Sequence, residues 1–79
     1  MSVTTVSLLP LNQIRRGDVA VVEEIVSGGQ EQARLASMGL TVGSVVEMLM
    51  PGKPCAVAVG GSRLVLRCEQ VQALRVSLL

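Results

Sequence analysis

Few side chains in this chain could do chemistry, and their types and spacing decide which chemistry that would be. No histidine occurs, so the commonest general base and the commonest neutral metal ligand are both missing. Two cysteines remain, Cys55 and Cys68. Two thiolates supply half of a tetrahedral metal site, and the spacing is not Cys-x-x-Cys. The cysteines flank Gly60-Gly61, a two-residue turn signal. If one hairpin runs from Cys55 to Cys68, both point to its inner face as diagonal neighbours. Diagonal neighbours lie ~7–8 Å apart, whereas a disulfide needs Cβ atoms within ~3.5–4.5 Å. The preferred reading is a pair of core thiols, with a metal pair or a redox role as the alternatives.

The carboxylates are Asp18, Glu23, Glu24, Glu31, Glu47 and Glu69, and only Glu23-Glu24 are adjacent. A buried carboxylate pair whose pKa values split can act as acid and base, but this one reads as a solvated pair on a strand irregularity. Gly28-Gly29 before a helix lacks the Lys and Ser/Thr of a phosphate loop and reads as a link. Of the four methionines, Met1, Met38, Met48 and Met50, Met48 reads as core. Met50, beside Pro51, reads as adaptable contact surface. No nucleophile has a base beside it, so an enzyme is not expected and no cofactor is implied.

The elements that must carry these residues are mostly strands. The chain has 79 residues, enough for one domain over 1–79. Such a domain buries only ~60–65% of the surface its unfolded chain exposes. Phe, Tyr and Trp are absent, so Val, Leu, Ile, Met and Ala must fill the core. Fourteen residues are Val, a residue that suits a pleated sheet. The net charge is only +1, with no basic stripe and no aromatic stacking platform. Both features argue against nucleic acid as a partner. No apolar run approaches the ~20 residues of a membrane span, and the N-terminus lacks the pattern of a signal peptide. The expected compartment is the cytoplasm.

Met1–Ser7 is read as a frayed start or an edge strand, and Leu8, Leu11 and Ile14 as a helical or 3₁₀ turn ending at Gly17. A strand follows over Asp18–Val26. A bulge at Glu23-Glu24 would turn Val22 and Ile25 inward together. A helix over Gln30–Met38 stops at Gly39, with Leu40 folding back on Leu35 or Ala36. Further strands span Ser44–Met50, Cys55–Val59, Ser62–Cys68 and Leu74–Leu78, with a helical turn over Glu69–Gln72. The expected fold is mainly β: a small SH3-like barrel of about five strands with one short inserted helix and short helical turns. Closing the sheet would also remove exposed edges.

Several motifs together resemble the FeoA family of bacterial ferrous-iron uptake. They are Leu11-x-x-Ile14-x-x-Gly17, Arg34-Leu35-x-x-Met38-Gly39-Leu40-x-x-Gly43, Pro51-Gly52-x-Pro54, Ser62-x-Leu64-x-Leu66-Arg67 and Leu74-x-Val76. The second is the most specific. The resemblance implies an SH3-like domain with an accessory or regulatory role beside FeoB, the membrane GTPase-linked ferrous-iron transporter. A similar domain ends the iron-dependent repressors. The implied function is an interaction module on FeoB's cytoplasmic region, recruited to the inner face of the membrane and not inserted in it. The candidate contact residues are Arg34, Leu35, Met38, Leu40, Leu49, Met50 and Pro51. Alternatives are an iron-sensing or iron-delivery protein using Cys55 and Cys68, and a homo-oligomeric structural module.

Overall fold

The computed structural model describes residues 8–52 and 54–79; the expectation for Met1–Ser7 lies outside them. In chain order, β1 spans Leu9–Pro10 and a 3₁₀ turn Leu11–Gln13. Then come β2 (Val19–Ile25), α1 (Gly29–Ser37), β3 (Val45–Met50), β4 (Cys55–Val59), β5 (Ser62–Leu66), α2 (Cys68–Ala73) and β6 (Leu74–Leu78). The strands form one antiparallel sheet in the order β1-β6-β2-β3-β4-β5. One strand more is present than the sequence reading gives. Leu9 and Pro10 extend far enough to pair with Val76 and Arg75 before the chain tightens into the 3₁₀ turn.

Alternation along the strands builds the core. Val22 of β2, Val46 and Met48 of β3, Val57 of β4, Leu66 of β5 and Leu74 and Val76 of β6 point inward and are buried. Leu11 from the 3₁₀ turn and Leu35 from α1 join them. Fully burying side chains of this size contributes ~1.5–3 kcal/mol each, and packing of this kind stands in for the missing aromatics.

Two bulges break the alternation. The β2–β6 register shifts between Val22 and Glu24. Val22 is buried and Ile25 packs on the core, while Glu23 and Glu24 both face solvent. The second shift lies between Met48 and Met50 on β3. Regular alternation would bury Met50 with Met48. The extra residue Leu49 turns Met50 outward beside Ala56, and it is 53% exposed.

The hairpin has the register that its turn dictates: Val59 pairs with Ser62, Val57 with Leu64 and Cys55 with Leu66. Gly60 and Gly61 both have positive φ, 55° and 83°, the geometry of a type I′ turn. The β5 strand stops at Leu66, earlier than expected. Arg67 donates its N–H to Gln70 Oε1 at 2.9 Å, which caps the start of α2. Cys68 therefore leaves the sheet and opens a helix.

Candidate interaction surface

Helix α1 ends at a tightly bonded corner. Gly39 N–H donates to Ala36 C=O and Leu40 N–H to Leu35 C=O, both at 2.9 Å. That is the paired bonding of a Schellman end, with Gly39 at φ 93°. Ser44 braces the turn into the next strand. Its Oγ accepts from Thr41 N–H at 3.0 Å and donates to Gly39 C=O at 3.2 Å. Gly43 N–H donates to Val22 C=O at 2.7 Å, and Val22 N–H donates to Ser44 C=O at 2.9 Å. The corner is thus held to β2 and leads directly into β3.

The structure separates the candidate contact residues. Leu35 and Leu40 are both fully buried, so they offer a partner no side-chain surface. They hold the corner from within. Arg34 is exposed and Met38 half-buried. At about 100° per residue, these two share the flank of α1 on one side of Leu35. Leu49, Met50 and Pro51 lie elsewhere. They occupy the far end of β3, ~17 Å of strand beyond the corner. There Met48 exchanges backbone bonds with the Gly17–Asp18 turn: Gly17 N–H donates to Met48 C=O, and Met48 N–H to Asp18 C=O. The expected single surface is two patches at opposite ends of one strand.

Between α1 and the corner, on the other flank of Leu35, lies an open groove of about 400 Å³ lined by Ile25, Gly29, Gln32, Ala33, Ala36, Thr41 and Val42, with the fully buried Leu40 beneath it. The small residues Gly29, Ala33 and Ala36 leave room for it. Val42 is 62% exposed at its rim. Gln32 Nε2 donates to Ile25 C=O at 3.3 Å and to Ser27 C=O at 3.4 Å, tying the helix to the end of β2. Sequence reasoning missed this groove. The spacing of Gly29, Ala33 and Ala36 on one helix flank was the available signal.

The cysteines are far from equivalent. Cys55 is buried, and its thiol donates to Met48 Sδ at 3.6 Å. Burial pushes this thiol up from its ordinary pKa. Cys68, expected on the inner face, is instead half-exposed on α2, where Gln72 Nε2 donates to its Sγ at 3.5 Å. Both are free thiols. Among the described residues no three Cys, Asp or Glu side chains gather where they could share a metal ion. No described helix is long and apolar enough to cross a membrane.

Comparison with known proteins agrees with this architecture. The FeoA domain family matches residues 9–78. A crystal structure of an iron uptake regulatory protein, FeoA, shares 30% identity and a TM-score of 0.85, covering 92% of this chain and 99% of that one. FeoA of Stenotrophomonas maltophilia, solved with zinc and described as an SH3 domain protein, shares 28% identity at a TM-score of 0.74, over 87% of this chain and 89% of that one. A manganese-dependent transcriptional repressor contains a similar domain, with 26% identity and a TM-score of 0.84. Here 98% of this chain matches 45% of the repressor. No curated protein sequence matches the chain. The six-stranded sheet, the Schellman corner and the match over residues 9–78 lead to one conclusion: the chain belongs to the FeoA family of ferrous-iron transport proteins and has its SH3-like fold.

Proposed function

We propose that the chain is a cytoplasmic accessory protein of ferrous-iron uptake, one that docks on the cytoplasmic region of the FeoB transporter and regulates it. The observation that carries this reading is apolar surface left over at the α1 corner. Leu35 and Leu40 complete the core from within, yet Val42 and the 400 Å³ groove stay open to solvent. Exposed apolar surface beside a well-bonded backbone suits a protein partner. Family membership supplies the iron-transport setting. The Stenotrophomonas relative has been put forward as a ferrous iron transport activating factor, which is the kind of role proposed here. The inner face of the membrane is the place such a partner implies.

Separating the two patches tests the reading. Arg34→Glu reverses charge on the α1 flank, and Met50→Asp places a carboxylate at the far end of β3. Both residues are exposed, so both variants should fold. Arg34→Glu is expected to weaken capture of FeoB's cytoplasmic domain about tenfold or more and to lower ferrous-iron uptake. Unchanged capture and uptake in the double variant would show that neither the Arg34 flank of α1 nor the far end of β3 makes the contact.

A further inference from the structure

The two edges of the sheet are built differently. At one edge β1 is two residues long and includes Pro10, which has no N–H to offer; shortness and proline are how sheets blunt an edge. The other edge is β5, five residues without proline or bulge. In a hairpin closed by a two-residue turn, Val59 and Ser62 exchange both their backbone bonds, and the pattern then alternates. Ser62, Leu64 and Leu66 therefore bond to β4, while the N–H and C=O of Arg63 and Val65 point away from the sheet. Among the described residues no group bonds to them.

The side chains on this edge give it a chemical preference. Arg63 and Val65 face outward, and Val65 is 64% exposed. Leu66 is buried and Arg67 has an extended backbone, φ −76° and ψ 164°, so Arg67 continues the outward series. The row reads cation, valine, cation, with successive members ~7 Å apart. No carboxylate lies in β5, and no bond from either guanidinium is present among the described residues. Pairing this edge with a second copy would bring arginines from both strands together, an arrangement that disfavours self-association.

We propose that the β5 edge is a second docking site, one that adds to the sheet an extended segment of another protein carrying acidic residues on both sides of an apolar one. Backbone bonds to Arg63 and Val65 supply the affinity. Glutamates or aspartates two positions before and after the apolar residue meet Arg63 and Arg67, and the apolar residue covers Val65. This site is separate from the α1 corner and stands whether or not the corner binds a transporter.

The test uses the full chain with ¹⁵N label and a capped peptide with a glutamate–threonine–valine–threonine–glutamate core. Saturation with the peptide is expected to slow amide exchange at Arg63 and Val65 about tenfold or more. The same peptide with lysine for glutamate should not do so. Arg63→Glu combined with Arg67→Glu leaves every strand bond in place and should weaken binding about tenfold or more. Val65→Pro removes an N–H that no described residue bonds to and should abolish binding. Equal binding of the lysine peptide, or protection that maps away from β5, would overturn the proposal. So would protection of these amides in the free chain, if it depends on protein concentration or is lost when residues 1–7 are deleted. Those results would mean that a second copy or the chain's own N-terminal segment fills the edge.

Discussion

Leu35 and Leu40 anchor the α1 corner in the core, and Gly39 is the residue that lets the backbone turn between them. At φ 93° an added Cβ at Gly39 meets nothing within 4 Å, so Gly39→Ala should cost only backbone strain, ~1–2 kcal/mol. Leu35→Ala, which opens a cavity, should cost ~2–5 kcal/mol. Thermal denaturation separates the two, since a domain of this size loses ~4–8 °C per kcal/mol. Cys55 makes a pH-dependent contribution. Its folded-state pKa is raised by burial, so the folded state holds the proton more tightly than the unfolded chain. Stability is then full below the unfolded thiol value of ~8.5 and falls as pH rises past it. Denaturant titrations across that window should show the decline, and Cys55→Ala should flatten it. A thiol reagent should label Cys68 on the native protein but reach Cys55 only after unfolding; rapid labelling of both would contradict the buried placement. The role of Gly39 could be read from sequence because a glycine just after a helical stretch has few other uses. That of Ser44 could not. Its Oγ serves Thr41 and Gly39, partners that a lone serine in a turn does not announce.

The corner and the hairpin show what sequence can fix at the level of elements. Gly60-Gly61 admits one tight turn, so the pairing of Cys55 with Leu66 and of Val57 with Leu64 followed from it. The Glu23-Glu24 bulge was legible because two apolar residues three apart had to share a face. The bulge at Leu49 was not, because Met48, Leu49 and Met50 are all apolar and alternation gives no contradiction to resolve. Cys68 was misplaced for a related reason: a cap made by Gln70 on the N–H of Arg67 ended β5 where the alternating pattern alone would continue it. Ser44 gives an element-scale prediction. Ser44→Ala removes one acceptor and one donor at the α1–β3 join and should cost ~1 kcal/mol. Amide exchange at Thr41 should quicken while the β4–β5 hairpin stays protected. If exchange rises equally throughout, Ser44 holds the whole domain and not the corner.

For the molecule as a whole, the chain lays out its surface around one strand. The α1 corner with its groove lies at one end of β3, Leu49, Met50 and Pro51 lie at the other, and the β5 edge, unpaired among the described residues, runs along the far side of the sheet. The fold and family were legible because the glycine stops and the spacing of apolar residues constrain them strongly. The contact surface was less so, since Leu35 and Leu40 share the local pattern of Met38 and only packing tells which face the core. The central claim is docking on the transporter's cytoplasmic region through the α1 corner. Its most direct test is titration of that region, with and without GTP, into the ¹⁵N-labelled chain. Saturable shifts are expected at Arg34, Met38, Ala36 and Val42 in at least one nucleotide state, and in Arg34→Glu they should need about tenfold more of the transporter region or more. The absence of binding in both states, or shifts that leave the corner untouched, would contradict the claim.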